Sequence, residues 1–285
     1  MASKNQERPR VTLIKSKGSL IDLRLKELLK SKDLIKMLVR RDFLTVYKQT
    51  ILGPLWFIVQ PIITTIMYVF VFGRIAQLGT DGIAQPIFYF SGTMIWTFFS
   101  TCLQKTSDTF ITNASLFGKI YFPRLAVPIS YVTTGLITFG IQFCILVILI
   151  IYYVLNGMSF ALSTYSLLIP VIIIQTAALA VGVGLIISAF TTKYRDLRTL
   201  VNFGLALWMY ITPVVYPLSQ VPGRMQGYYV ANPMSSVLEM YRFFMLNKGN
   251  PSFLNWYISL AISVILLILG IIVFNHSERT FVDVI

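Results

Sequence analysis

Residues 40–61 read RRDFLTVYKQTILGPLWFIVQP, and within a few positions a cluster of charges gives way to an unbroken apolar run, with Gly53-Pro54 and Trp56 at the crossing. Upstream, Ile35, Leu38, Val39, Phe43 and Val46 fall on one face of a helical wheel, with Lys36, Arg40, Arg41 and Lys48 on the remainder. The pattern predicts an amphipathic helix over 33–50 lying beside a membrane. Asp42 sits inside the apolar stripe, where a lone carboxylate is disfavoured, so a partner from Arg40, Arg41 or a basic residue of another loop is expected. Gly53-Pro54 predicts the bend from an interfacial to a spanning helix, because Pro suits a first helical turn and disfavours helical geometry just before it. Trp56 is placed for the interfacial aromatic belt.

Working outward, the chain is membrane-like throughout. Of 285 residues, 56% are hydrophobic and only 12% charged, and the mean hydropathy is +0.73, which excludes an ordinary soluble globule. Five intervals carry no charge: Gln49 to Gly73, Gly82 to Gln104, Leu125 to Thr192, Thr199 to Gly223 and Gly249 to Ser277. The third is 68 residues long; as one helix it would reach about 100 Å, so it must turn back, most naturally at Asn156-Gly157-Met158-Ser159 to Ser163-Thr164. Six spans are expected, near 52–75, 86–107, 127–154, 166–190, 199–216 and 253–274, in an all-α polytopic protein.

Orientation follows from Lys and Arg. The N-terminal segment, the 105–126 loop, the 193–198 loop and the tail hold 20 of the 24, and the other side only Arg74, Arg224, Arg242 and Lys248. Both termini are therefore expected on the cytoplasmic side. The first 50 residues contain no apolar stretch of signal-peptide type, so no cleaved leader is expected. The net charge of +13 is explained by topology and anionic lipid headgroups rather than nucleic acid. Cys102 and Cys144 fall inside expected spans, as packing residues rather than a disulfide or metal pair.

Two cytoplasmic loops combine basic and aromatic residues. NASLFGKIYFPRLAVP (113–128) carries Phe117, Lys119, Tyr121, Phe122 and Arg124, closed by Pro123; TTKYRDLRTL (191–200) carries Tyr194, Arg195, Asp196 and Arg198. They read either as solvated turns or as docking surface for a soluble partner. On the outer side, MYITPVVYPLSQVPG (209–223) ends the fifth span at its prolines. Asn232-Pro233 then opens a helix, carrying Glu239 and Arg242, that is too polar to span. Re-entrant or interfacial helices are expected there. Tyr210, Tyr216, Tyr228, Tyr229 and Tyr241 form an interfacial belt or a sugar-stacking platform. ALAVGVGLIIS puts Ala180, Gly184 and Ser188, and Ala178 with Gly182, at four-residue spacing for close helix packing.

Nothing catalytic is visible. The sequence has no GxxxxGK[ST], HExxH, CxxC or GxSxG motif, the expected spans hold no acidic pair, and the one histidine, His276, ends the last span. Energy must come from elsewhere, or transport is passive.

The stretch RRDFLTVYKQTILGPLWFIVQPI, then NASLFGKIYFPRLAVP, KYRDLRTLVNFGLALWMYITPVVYP and NPMSSVLEMYR, in that order, resemble the ABC-2 family of ATP-binding-cassette transport permeases, most closely its polysaccharide and teichoic-acid exporters. The likeness runs from about residue 33 to the C-terminus and leaves 1–32 as a variable cytoplasmic segment before the interface helix (33–50) and the six-span domain (51–285). It implies a non-enzymatic exporter half in a bacterial inner membrane. Two copies would form the channel, driven by two separate ATPase subunits that hold ATP and magnesium, while this chain binds no cofactor. The resemblance places ATPase coupling at Phe117, Gly118, Lys119, Tyr121, Phe122, Pro123 and Arg124, with support from Arg40, Arg41, Asp42, Tyr194, Arg195 and Asp196. It places a lipid-linked glycan path along Phe57, Tyr68, Trp96, Phe99, Trp208, Tyr210 and Tyr216. Arg40, Arg41 and Lys48 suit either coupling or the substrate diphosphate. O-antigen is the expected cargo, teichoic acid or capsule the alternative. A membrane enzyme of lipid-linked sugar assembly and a passive channel or scaffold are the readings of another class.

Overall fold

The computed structural model describes residue 28 and residues 31–47, 51–118, 122–159, 163–191, 193–194, 196–249 and 251–282, and among them every regular element is helical. The first helix, α1 (Lys32–Tyr47), is followed by a 3-10 turn, Gly53–Leu55, with Pro54 in its first turn. Gly53 takes φ +50°, a left-handed conformation open to glycine, at the position where the bend is expected. The first apolar helix continues as α2 (Trp56–Tyr68) and a π-helical segment, Val69–Ile75.

After α3 (Gln85–Ser107), two short turns, α4 (Thr109–Thr112) and α5 (Ala114–Phe117), precede α6 (Ala126–Leu155). The chain reverses at Asn156-Gly157, Gly157 having φ +93°, and returns through the 3-10 turn Thr164–Leu168 and α7 (Ile169–Thr191). α8 (Leu197–Ile211), α9 (Gly223–Ala231), α10 (Pro233–Leu246) and α11 (Phe253–Val282) complete the order.

Four stretches are long and apolar enough to cross a membrane: Gly53–Ile75, Ala126–Leu155, Thr164–Thr191 and Phe253–Ser277. Two of the six expected spans differ. α3 has the length, but Ser91, Thr93, Thr97, Ser100, Thr101 and Gln104 dilute its apolar character. It tolerates them because it is the buried centre of the bundle: Ile87 through Trp96 are all buried, as are Phe98 and Phe99. Several hydroxyls on this helix bond backward to their own carbonyls, Thr93 to Tyr89 (2.8 Å) and Ser91 to Phe88 (3.0 Å), which satisfies them inside the bundle. α8 stops at Ile211, five residues before the expected end at 216, and only 15 residues long. Pro213 lacks the donor needed to continue, and Val214 and Val215 fold inward as core.

α7 packs against α3 on one side and α11 on the other, and the small-residue spacing read from the sequence makes both contacts. A Cβ on Gly182 would stand 2.6 Å from the Leu267 backbone nitrogen in α11, and one on Gly184 2.7 Å from Cβ of Thr106. Gly270 faces Gly182 across the same contact. Deeper polar groups are satisfied across helices: Gln175 Nε2 donates to Ser259 Oγ (2.9 Å), Trp256 Nε1 to Gln175 Oε1 (2.8 Å), and Ser259 Oγ to the Pro233 carbonyl (2.8 Å). This network ties α7, α10 and α11. Gly182→Val is expected to push two backbones apart and to cost about 1–3 kcal/mol, read as a lower unfolding midpoint of the purified protein in detergent. Ala at Gly140, which has open space around it, is the control expected to leave the midpoint in place.

Both cysteines are free thiols, Cys102 buried and Cys144 exposed. The outer face of α2 is bare and apolar, with Ile63, Ile66 and Met67 each more than half exposed.

Candidate functional site

The loops rich in Lys and Arg gather at one end of the bundle, where α1 lies against the start of α6. Leu38 of α1 is buried with Phe122, Ala126, Val127 and Tyr131, and Leu34, Ile35, Phe117 and Leu125 pack around them. The apolar stripe of α1 thus has protein beneath it. Asp42 finds its partner next door: Arg41 Nε and Nη2 both reach Asp42 Oδ1, at 3.0 and 2.9 Å. The same Arg41 Nη2 donates to Asn113 Oδ1 (3.2 Å). Asn113, buried, donates in turn to the Tyr131 hydroxyl (2.8 Å) and to the Thr109 carbonyl (3.0 Å). One asparagine therefore joins the interface helix, the loop and α6.

A second clamp joins this loop to the start of α8, where Arg198 Nε pairs with Asp108 Oδ2 at 3.0 Å. Burial raises the Asp108 pKa above the usual carboxylate value, and Arg198 opposes the shift. Rings run from the loop into the bundle: Phe122 to Phe117 (5.6 Å), Phe117 to Phe110 (5.9 Å), and Phe110 stacked on Phe274 of α11 (4.7 Å). The Arg124 guanidinium lies 5.3 Å over the Phe117 ring. Between these anchors, Ser115 and Gly118 are exposed, as are Arg40, Arg41, Tyr194 and Asp196. Pro123 and Arg124 are half-buried, and Phe122 is 8% exposed, a seat for the loop rather than part of its outer face. Lys48, Lys119, Tyr121 and Arg195 lie outside the described residues. Asn113, Tyr131, Phe110 and Phe274 were not among the expected site residues; only pairing across the fold makes them visible.

At the opposite end, α9 and α10 follow the broken end of α8. Asn232 caps α10, its side chain accepting from Met234 N (3.1 Å) and from Trp208 Nε1 (3.0 Å), which bears out the helix start read at Asn232-Pro233. Arg242, 5% exposed, holds two carbonyls just beyond the end of α8: Nη1 donates to Pro213 O (2.8 Å) and Nη2 to Val214 O (2.6 Å). Its guanidinium also lies 3.7 Å over the Phe88 ring. Of the five tyrosines expected as a belt or platform, Tyr210 and Tyr228 are exposed and Tyr216 bonds Tyr229 hydroxyl to hydroxyl (2.8 Å). Tyr241 is fully buried and belongs to the core instead.

On α10, which does not span, burial raises the Glu239 pKa to about 7 against the opposing pull of Arg242. A carboxyl raised in the folded state binds more protons than the unfolded chain, so its stability contribution is full below about 4.5 and is lost as pH rises through about 7. The unfolding midpoint should fall over that window, and Glu239→Gln should flatten the fall.

The residues expected along a glycan path separate into three groups. Trp96, Phe99 and Trp208 meet edge to face, with Phe99 to Trp208 at 5.1 Å and Trp96 to Trp208 at 6.4 Å, but Trp96 and Phe99 are buried among protein. Tyr68 packs on Phe72 and Tyr89, and Tyr216 bonds the Tyr210 carbonyl. Phe57 stands apart, against Phe43 of α1 (5.8 Å), on a groove of about 230 Å³ between α2, α3 and α6.

These observations describe a multi-pass helical membrane protein with a clamped basic end. The profile of the ABC-2 type transporter family matches residues 33–246, and the chain belongs to that family. It is 27% identical over 257 residues to an O-antigen export system permease protein, RfbA, of Klebsiella pneumoniae, covering 89% of this chain and 95% of the relative. The permease of the same name from Myxococcus xanthus is 26% identical, with 90% and 97% covered. The polysialic acid transport protein KpsM of Escherichia coli is 23% identical, with 73% and 79% covered.

Proposed function

We propose that this chain is the transmembrane subunit of an ATP-driven exporter of lipid-linked polysaccharide in a bacterial inner membrane, with O-antigen as its cargo. Two copies form the channel and two ATP-binding-cassette subunits, which carry ATP and magnesium, drive it. Membership of a transport-permease family and the export roles named for its relatives support the class. The observation that carries the coupling role is the basic end: a short turn, Ala114–Phe117, with Ser115 at its surface, held at both sides by Arg41–Asn113 and Asp108–Arg198 and backed by rings that reach α11. A push on that turn reaches α1, α8 and α11 through these contacts. Phe117, Gly118, Lys119, Tyr121, Pro123 and Arg124 are its docking residues, flanked by Arg40, Tyr194, Arg195 and Asp196, while Phe122 seats the loop.

In this reading α2, α3, α6, α7, α8 and α11 make six crossings. The 23 residues of α3 reach about 34 Å. α8, at 15 residues, needs the buried 212–215 segment to complete its passage. Both termini lie on the ATPase side, as the Lys and Arg asymmetry requires. The polysialic acid transport protein among the relatives supports capsular polysaccharide as the second cargo. Co-expression of the tagged chain with the ATPase of its own gene neighbourhood tests the assembly. A complex of two copies of each is expected, and purification of this chain as a self-sufficient glycosyl transferase would sink the reading.

A further inference from the structure

A cavity of about 360 Å³ opens at the end opposite the basic loops, among the 76–84 loop, the 217–226 segment, α10 and the start of α11. That is the size of a small-molecule site. None of the residues expected along a glycan path is among its described walls. Asp81 and Glu239 bring carboxyl groups to it, Lys248 an ammonium, and Gln226 and Asn255 amides. Ser219 Oγ donates to Asp81 Oδ1 (2.7 Å), which fixes one acceptor at the rim. Glu239 has neither an ion-pair partner nor a hydrogen-bond donor among the described residues. Arg242 lines the same cavity. Although only 5% exposed and bonded to two carbonyls, it still has an Nε that meets no acceptor.

Charges of both signs therefore share one small wall. An anion placed there meets Asp81 and Glu239, and a cation meets Arg242 and Lys248, so each suffers a repulsion. A neutral polyol suffers neither. Its hydroxyls donate to the carboxylates and accept from the ammonium and the amides. Ile83, Pro217 and Leu218 give the wall apolar patches between these groups, which suit the carbon faces of a sugar ring rather than an extended polar chain.

We propose that this outer cavity binds one neutral sugar residue, its hydroxyls on Glu239, Asp81 and Asn255. The proposal rests on the export reading only for the source of the sugar, a glycan leaving the channel.

The test uses the purified full chain in nanodiscs assembled without a sugar-headed detergent. Saturation-transfer NMR reads binding of the methyl glycosides of glucose, galactose, mannose, rhamnose and N-acetylglucosamine. Glucuronate, glucosamine and glycerophosphoethanolamine serve as the anionic, cationic and zwitterionic probes. At least one neutral glycoside is expected to bind with a Kd of about 1–10 mM, and the charged probes about tenfold more weakly. Glu239→Leu and Asn255→Ala should weaken the neutral glycoside about tenfold. Arg74→Gln, outside the cavity, should leave it unchanged. Asn255 stands half-exposed at the start of α11, so its variant keeps the test open should Glu239→Leu fail to fold. A loss of that size in either folded variant upholds the site. Binding at the parent's strength in both overturns it, as does any charged or zwitterionic probe held more tightly than every neutral one. Absence of neutral glycoside binding up to about 100 mM overturns it as well. Free glycosides need neither ATP nor a partner chain, so this site and the export reading fail separately.

Discussion

Arg242→Ala is expected to produce the largest loss of stability of any single substitution in the outer half. The change strips the partners from the Pro213 and Val214 carbonyls, bonded at 2.8 and 2.6 Å, and removes the cation stacked on Phe88. Each orphaned buried acceptor costs about 1–3 kcal/mol, so about 2–5 kcal/mol is expected in all. For a chain of this size that is a drop of roughly 5–15 °C in unfolding midpoint. Arg242→Lys should recover less than half, because a point charge on a flexible stem cannot serve two divergent carbonyls as the planar fork does. The site also explains Gly92, where a Cβ would run into both Arg242 Nη2 and the Val214 carbonyl. A midpoint within about 2 °C of the parent would show that α10 is not pinned through this arginine.

The largest functional effect is expected at Asn113. Asn113→Ala removes the link to Arg41 (3.2 Å) and the bond to the Tyr131 hydroxyl (2.8 Å), releasing the loop from α1 and α6 while its ring ladder stays. Export should fall about tenfold, the scale of a coupling energy near 1.4 kcal/mol, while ATP hydrolysis by the assembled complex persists. An equal fall in hydrolysis, transport and complex yield would instead mean loss of assembly. Asn113→Asp serves as the graded variant: it keeps an acceptor for Arg41 but loses the donor to Tyr131.

The sequence made much of this architecture legible because membrane insertion leaves a strong signature. Ala126–Leu155, Thr164–Thr191 and Phe253–Ser277 follow from absence of charge alone, and the turn at Gly157 follows from the excess length of the third interval. α3 is harder to classify by hydropathy, since buried hydroxyls such as those of Ser91 and Thr93 are bonded to their own helix and lower its apolar character without exposing it. The end of α8 was overrun because Val214 and Val215 look like span yet fold back as core after Pro213. At the basic end, Asp42 announced a missing partner by its place in an apolar stripe, and Arg41 supplies it. Asp108–Arg198 and Asn113–Tyr131 join residues distant in sequence, so no local spacing reports them. Aromatic residue type does not separate path from packing for a related reason. Trp96 and Phe99 pack as core, with the same residue types that would line a glycan route.

The most direct measurement is transfer of a lipid-linked polysaccharide across proteoliposomes containing this chain and its ATPase, with glycan scored on the far side by a membrane-impermeant glycosidase. The account predicts transfer that requires ATP, both subunits and an ATPase competent for hydrolysis, and that falls about tenfold with Asn113→Ala. Transfer by this chain alone, at the same rate without nucleotide, would contradict it.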